Sequence, residues 1–172
     1  VVWGTVKDHN GYIDVHSEPG EKTVFTLYFP VTRDEMEKVK KAVSPVSYMG
    51  KGQSILVVDD VKEQRELATN MLEKLGYQVS AVTGGEQAIE YLQSRQADLV
   101  VLDMIMEPGM DGMETYQRID QMNPQQKTII VSGFSETERV KNAQEMGAGA
   151  FLRKPYILEK IGLAVKNELE RK

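Results

Sequence analysis

The stretch VVLDMIMEPGMDG at 100–112 decides the fold, because it carries a single carboxylate out of an apolar run. Residues 99–102 read LVVL, which is typical of a strand that is covered on both faces. Asp103 follows at once, and a loop rich in Met, Pro and Gly comes next. The arrangement is either a chance placement or a reactive carboxylate held on a rigid strand.

Outward from this stretch, short apolar runs alternate with amphipathic segments. Further strands are predicted at 55–58, 77–82, 128–131 and 150–152, and a helix is predicted after each of the five strands. The helix at 135–146 has Ser135 as its candidate N-cap, with Glu138 completing a capping box. Apolar strands that alternate with helices indicate a parallel sheet covered on both faces. We therefore predict an α/β fold with a doubly wound five-stranded parallel sheet.

The first 50 residues have a different pattern. Residues 1–10 resemble the end of a helix, and the alternation at 12–17 and 23–29 around a turn predicts a β-hairpin appendage. The polar segment that follows includes a predicted short helix at 34–43. A lone hairpin is too small to be stable in water. We therefore expect it to bury an apolar side against a second copy, giving a homodimer, or against the rest of the chain. The candidate apolar sides are Ile13 and Val15, or Val24, Leu27 and Phe29.

The composition limits the function classes. The chain has 172 residues, a net charge of -5 and no basic block, which disfavours nucleic acid as a partner. The absence of cysteine removes disulfides and thiol catalysis and suits a cytoplasmic location. No apolar run approaches the ~20 residues of a membrane span. Because the chain does not begin with Met, we expect a piece of a longer protein. A membrane anchor in the missing part stays an open alternative.

Polar side chains follow four of the predicted strands. They are Asp59 and Asp60, Asp103, Ser132 with Gly133, and Lys154 with Pro155. In a doubly wound sheet, ligands bind outside the carboxyl ends of the strands, so these groups are expected to converge. Three neighbouring carboxylates repel one another and favour a bound cation. Oxygen ligands of this kind suit Mg²⁺.

A carboxylate beside a divalent cation, a lysine and a hydroxyl suits the acceptance of a phosphoryl group. Asp103 would be the nucleophile, Lys154 and Mg²⁺ would neutralise the phosphoryl oxygens, and the Ser132 hydroxyl would donate a hydrogen bond to one of them. Each residue also has a structural interpretation. An aspartate such as Asp60 commonly caps a helix, and a lone lysine is commonly a solvated surface charge. The four strand ends taken together favour the chemical interpretation.

Residues 53–172 resemble the receiver domain of two-component response regulators. The motifs that carry the resemblance are VVDD at 57–60, LDMIMEPGMDG at 102–112, IIVSGF at 129–134 and AFLRKPY at 150–156. The resemblance implies a flavodoxin-like sheet with strand order 2-1-3-4-5. It also implies roles for particular residues. The phosphoacceptor is Asp103, the Mg²⁺ ligands are Asp59, Asp60, Asp103 and the Ile105 carbonyl, the phosphate-binding lysine is Lys154, and the switch residues are Ser132 and Phe151.

The sequence departs from the family pattern at two of these places. Glu107 is an extra residue between Met106 and Pro108, in the loop that follows the phosphoacceptor. Phe151 lacks the hydroxyl of a tyrosine, so its switching is expected to depend on burial of the ring alone. The resemblance further implies a cis peptide before Pro155.

The N-terminal segment VVWGTVKDHNGYIDVHSEPGEKTVFTLYFPV is similar to the last part of the ATP-binding domain of sensor histidine kinases. The similarity divides the chain into a kinase remnant at 1–33, a linker at 34–52 and a receiver at 53–172. This is the order of a hybrid histidine kinase. The rest of the ATP site is absent from the sequence, so we do not expect the chain to phosphorylate itself from ATP.

The leading hypothesis is a receiver that takes a phosphoryl group from a kinase histidine, in cis or in trans. The group would pass to a histidine phosphotransfer protein or regulate the parent kinase, and the fourth helix, fifth strand and fifth helix of the receiver would form the output surface. The alternative is an interaction module that works without phosphorylation. Enzyme status stays open, because a receiver catalyses only its own phosphorylation and dephosphorylation. A flavin domain is disfavoured, because Asp59 and Asp60 would repel its phosphate.

Overall fold

The computed structural model describes residues 2–31, 45–133 and 138–171. The chain forms two compact units, Val1–Ala42 and Val43–Lys172. The predicted helix at 34–43 and the predicted N-cap Ser135 lie outside the described residues. Among the helices of the described ranges, none is long and apolar enough to cross a membrane.

The smaller unit contains helix α1 (Val2–Asp8) and a hairpin of strands β1 (Tyr12–Glu18) and β2 (Lys22–Tyr28). The strands pair antiparallel, as the alternating sequence predicts. The pairs Ile13 with Leu27 and Val15 with Phe25 lie directly opposite each other. These four apolar side chains therefore share one face of the hairpin.

This register corrects one expectation about the hairpin. The sequence-based expectation places Val24 and Leu27 on one candidate apolar side, but Val24 pairs with His16 and Leu27 pairs with Ile13. Because side chains alternate along a strand, residues three positions apart point to opposite faces. Val24 and Leu27 therefore cannot belong to the same apolar side.

The larger unit contains a five-stranded sheet. Its strands are β3 (Ser54–Val58), β4 (Gln78–Val82), β5 (Leu99–Asp103), β6 (Thr128–Ser132) and β7 (Phe151–Arg153). The spatial order is β4-β3-β5-β6-β7, and every neighbouring pair is parallel. Numbered within this unit, the order is 2-1-3-4-5, which confirms the predicted flavodoxin-like topology.

Five helices cover the two faces of this sheet. They are α2 (Lys62–Lys74), α3 (Gly85–Ser94), α4 (Gly112–Met122), α5 (Glu138–Glu145) and α6 (Leu158–Glu170). Alternate residues of each strand enter different cores. Val57 packs with residues of α2 and α6, whereas Val58 packs with residues of α3, α4 and α5. Burial on both faces explains why the strands read as continuous apolar runs.

Part of the predicted linker packs into the larger unit. A short 3₁₀ turn, Pro45–Tyr48, brings Tyr48 into the core between the sheet and α6, where its side chain is buried. A Cβ on Gly162 would lie 2.5 Å from the Tyr48 ring, so the absence of a side chain at 162 makes room for the tyrosine. Residues 45–52 therefore contribute to the fold of the larger unit.

Candidate functional site

Three aspartates meet at the carboxyl edge of the sheet. Asp59 and Asp60 directly follow β3, and Asp103 is the last residue of the neighbouring strand β5. Each of the three offers a carboxylate oxygen, and these oxygens lie within 4.8 Å of one another. Asp59 and Asp103 are buried. The structure therefore brings together the three carboxylates that the sequence predicts to converge.

Lys154 reaches this cluster from the end of β7, the outermost strand of the sheet on the β5 side. It follows β7, and its Nζ donates to Asp59 Oδ2 at 2.6 Å and to Asp103 Oδ2 at 2.7 Å. Its side chain is 9% exposed, so both ion pairs are shielded from water. The short distances and the burial make Lys154 a fixed positive charge beside the Asp103 carboxylate.

The Asp103 carboxylate is poorly solvated. Burial raises the pKa of Asp103 above its usual value, and the nearby Asp59 charge acts in the same direction. Hydrogen bonds from Lys154 and from the Ile105 N–H oppose the increase. Burial together with the charges of Asp59 and Asp103 also raises the pKa of Tyr156. The cluster thus holds more negative charge than Lys154 alone neutralises.

The oxygen atoms of the acid pair are suited to a metal. Asp59 Oδ1 accepts a hydrogen bond from the Val61 N–H at 3.0 Å, and Asp60 Oδ2 accepts one from the Glu107 N–H at 3.2 Å. Asp60 Oδ1 is buried and has no hydrogen-bond partner among the described residues. A buried carboxylate oxygen needs a partner, and a hard cation with oxygen ligands would supply one. The donor set therefore fits Mg²⁺.

The structure places the other predicted site residues around the cluster. Ser132 ends β6 and is buried, and its carbonyl accepts a hydrogen bond from the Lys154 N–H at 2.7 Å. Ile105 donates its N–H to Asp103 Oδ1 at 3.2 Å. Phe151 begins β7 and is partly buried against the core below α4 and α5. Their proposed roles as switch residues and metal ligand stay predictions.

Arg65 contacts the site and was not identified from the sequence. Its Nη1 donates to the main-chain carbonyl of Asp59 at 2.7 Å and to that of Asp60 at 3.2 Å. These contacts fix the backbone that carries both carboxylates. The only signal in the sequence is an arginine at the fourth position of the helix after the acid pair, which is too common to be diagnostic.

The loop between β5 and α4 is closed at its base. The Gly112 N–H donates to the Met104 carbonyl at 3.3 Å, and a Cβ on Gly112 would collide with the main chain of Asp103 and Met104. The first turn of α4 is capped by Asp111, whose Oδ1 accepts the Glu114 N–H at 2.9 Å. The loop therefore leaves the strand and enters the helix at a fixed crossing point.

Two peptide bonds near the site are cis. The bond between Lys154 and Pro155 is cis, which confirms the expectation. The bond between Glu107 and Pro108 is also cis and was not predicted. Glu107 is the inserted residue of the loop, so the departure from the family pattern coincides with this second cis bond.

A cavity of about 280 Å³ opens above the cluster. Its walls include Asp60, Asp103, Ile105, Glu107, Gly133 and Lys154. The Asp103 carboxylate, a lysine and a candidate cation site therefore face one small space open to solvent. This arrangement suits an incoming phosphoryl group, whose oxygens need neutralisation from more than one side.

The family follows from the sequence and the fold together. The response regulator receiver domain model matches residues 55–166, which is more than half of the chain. The chain belongs to the response regulator receiver domain family. It is therefore a component of two-component signalling.

Two relatives are similar to this chain over different shares of their own length. The chain is 28% identical over 180 residues to Sensor kinase CckA of Brucella abortus (strain 2308), covering 99% of this chain and 19% of that protein. It is 34% identical over 120 residues to Sporulation initiation phosphotransferase F of Bacillus subtilis (strain 168), covering 70% of this chain and 96% of that protein. The chain thus spans about a fifth of one relative and nearly all of the other.

A solved structure supports the fold. The receiver domain of NtrX from Brucella abortus superposes with a TM-score of 0.66 at 27% identity. The match covers 69% of this chain and 99% of that structure. A complete receiver domain therefore accounts for about two thirds of this chain.

Proposed function

We propose that this chain is the phosphoryl-accepting receiver of a phosphorelay and a part of a hybrid sensor histidine kinase. The observation that carries the proposal is the environment of Asp103. Its carboxylate is buried, lies 2.7 Å from Lys154 Nζ and adjoins the Asp59 and Asp60 carboxylates beneath an open cavity. An aspartate with a purely structural role would not need an access route for a reactant.

The proposed reaction is the transfer of a phosphoryl group from a phosphohistidine. An Asp103 carboxylate oxygen attacks phosphorus and forms a P–O bond, and the P–N bond to the imidazole breaks. The imidazole nitrogen keeps the electron pair of that bond and takes up a proton. Lys154 lies where it can neutralise a phosphoryl oxygen as charge develops.

The cation would be held by Asp59, Asp60 and Asp103, with the Ile105 carbonyl as a further ligand. Bound Mg²⁺ would supply charge neutralisation for the phosphoryl oxygens. Arg65 contributes indirectly, because it fixes the main chain of the acid pair. The unpartnered Asp60 Oδ1 supports this assignment.

Phosphorylation of Asp103 would change the surface formed by α5, β7 and α6. Ser132 and Lys154 are linked through main-chain contact at the ends of β6 and β7, so movement of Ser132 toward a phosphate would displace the start of that surface. Phe151 lies in β7 and is partly buried, so a change in its packing would follow. A kinase or a histidine phosphotransfer protein would read this surface.

The hybrid-kinase part of the proposal rests on the smaller unit. Residues 1–33 would be the end of a histidine kinase ATP-binding domain, 53–172 the receiver and 34–52 the segment that joins them, with Tyr48 of that segment packed into the core of the receiver unit. The similarity to Sensor kinase CckA over 99% of this chain supports that order, because it extends beyond the receiver into the hairpin. The phosphodonor would then be a kinase histidine of the same chain or of another chain.

The experiment that tests the proposal is intact-mass measurement after incubation with Mg²⁺ and acetyl phosphate. We expect one phosphoryl adduct that disappears in Asp103→Asn and in EDTA and persists in the control variant Asp120→Asn. An adduct that persists in Asp103→Asn would show that Asp103 is not the acceptor. Absence of an adduct, with beryllofluoride also failing to bind, would favour the interaction module that works without phosphorylation.

A further inference from the structure

We propose that Glu107 is a specificity-determining residue of the phosphorylation site. The inference rests on the proposed function and deepens it. The carboxylate of Glu107 adds negative charge to the wall of the cavity above Asp103, where it slows small anionic phosphodonors and strengthens the binding of a divalent cation. The site would thereby favour donors whose binding energy comes from protein surface rather than from the phosphate charge.

The backbone position of Glu107 is set by contacts on both sides of it. Its N–H donates to Asp60 Oδ2 at 3.2 Å, and the preceding residue, Met106, is buried in the core. Beyond it, the Met110 N–H donates to Glu86 Oε1 at 2.9 Å. Hydrogen bonds to the acid pair and to helix α3 therefore hold the loop on both sides of the inserted residue.

Glu107 lies at the protein surface and also at the wall of the site. Glu107 is exposed, and it lines the same cavity of about 280 Å³ as Asp103 and Lys154. Among the described residues, the close carboxylate group comprises Asp59, Asp60 and Asp103 and does not include Glu107. Glu107 is therefore a charge at the cavity wall rather than a member of the cluster itself.

The charge balance of the site determines the sign of the effect. Three aspartates and one lysine give the cluster a formal charge of -2, which a divalent cation would bring to zero. With the cation bound, Glu107 then gives the site one excess negative charge at its entrance. A dianionic donor such as acetyl phosphate is repelled by that charge, and Mg²⁺ is attracted by it.

A protein donor would respond differently. A phosphohistidine arrives as part of a docking surface, so many contacts contribute to its binding and one charge is a small part of the total. A small donor has little besides its phosphate to bind with. Removal of one charge is expected to change the rate with a small dianion by about threefold to tenfold.

The test compares the unmodified chain with Glu107→Gln, Glu107→Lys and the control Glu90→Gln, which removes an exposed carboxylate on α3 away from the cavity. The rate of Asp103 phosphorylation by acetyl phosphate is followed by intact mass at saturating Mg²⁺. We expect Glu107→Gln to be about threefold to tenfold faster and Glu107→Lys to be faster still. The differences should shrink at high salt, because added ions screen the charge.

A second readout does not involve phosphorylation. Titration calorimetry with Mg²⁺ alone should give weaker binding for Glu107→Gln, by about twofold to fivefold, and unchanged binding for Glu90→Gln. Equal phosphorylation rates, or unchanged Mg²⁺ affinity, would overturn the inference while leaving the proposed function intact. No adduct on Asp103 in any of these proteins, with beryllofluoride also failing to bind, would overturn the proposed function and the inference with it.

Discussion

The Nη1 atom of Arg65 lies 2.7 Å from the main-chain carbonyl oxygen of Asp59. The same guanidinium nitrogen donates to the Asp60 carbonyl at 3.2 Å. Helix α2 thereby holds the acid pair through its backbone and leaves both carboxylates available to the site. A residue of this kind influences a metal ligand by positioning it.

Substitution of Arg65 should weaken cation binding. We expect Arg65→Met to lower Mg²⁺ affinity by about tenfold in titration calorimetry, since the loss of outer-shell contacts commonly costs that much. Lys62→Met is the matched control, because Lys62 also lies in α2 and its ion pair among the described residues is with the exposed Glu66. Equal affinity in Arg65→Met and the unmodified chain would show that the acid pair keeps its position without this contact.

A buried glutamate at the end of α6 should make stability depend on pH. Burial raises the pKa of Glu168 above the ordinary value of 4.5, and the charges of Arg171 and Lys127 only partly oppose this. The folded chain therefore binds a proton at Glu168 more tightly than the unfolded chain does. The contribution of this group to stability is present in acid and is lost as the pH rises through the folded pKa.

Glu168→Gln removes that dependence. We expect the variant to melt a few degrees higher near neutral pH, and the difference to vanish as the pH falls to the ordinary glutamate range. Scanning calorimetry across this range, with Glu90→Gln as the exposed control, measures the effect. A variant that melts lower at neutral pH would mean that the 3.1 Å contact with Arg171 outweighs the burial.

The start of the folded receiver unit should lie before residue 48. Tyr48 is buried, and it packs where Gly162 lacks a side chain. We expect Tyr48→Ala to lower the free energy of unfolding by about 3 kcal/mol, as the loss of a large buried ring commonly does. Urea unfolding measures this.

Two truncations test the same point. A chain that begins at residue 45 should be more stable than one that begins at residue 53, the predicted receiver start, by a similar amount. If the two truncated chains unfold at the same urea concentration, Tyr48 contributes nothing to the fold.

The hairpin should cause self-association. Its face formed by Ile13, Val15, Phe25 and Leu27 carries exposed apolar side chains at three of these four positions. Exposed apolar surface on a two-stranded sheet favours pairing with another copy. We expect Phe25→Glu to shift the chain toward monomer in light scattering, and Thr26→Glu, on the opposite face, to have little effect.

One pair of results would contradict this expectation. A strictly monomeric unmodified chain, together with an unchanged melting temperature after removal of residues 1–44, would show that the hairpin packs neither on a copy nor on the receiver.

The sheet and the convergence of its strand ends could be predicted from the sequence. Apolar runs such as 99–102 have a length and composition that fit only a doubly covered strand once helices follow each of them. Parallel pairing then places Asp59, Asp103 and Lys154 at one edge, where the structure finds them in contact. The strand order required the resemblance, because periodicity does not say which strands are neighbours.

Other features depend on contacts that leave no local pattern. Arg65 differs from any other helix arginine only in where its side chain ends, which is decided by the packing of α2 on the sheet. Tyr48 resembles a linker residue because the residues that it packs against are distant in the chain, including Gly162 in α6. The faces of the hairpin needed no such contact, because alternation along the strand alone places Val24 and Leu27, three positions apart, on opposite faces.

The crossing of Gly112 over the main chain of Asp103 and Met104 has a consequence for how this region can be altered. The end of β5 and the start of α4 are held together at this point, because the Gly112 N–H donates to the Met104 carbonyl. Ile105 and Met106 belong to the site and to the core, but the part of the loop around the extra residue Glu107 is expected to change in length without shifting either Asp103 or helix α4. This part of the loop is thus a site for grafting peptides of different length. Such a graft would change the preference for phosphodonors and leave the sheet unchanged.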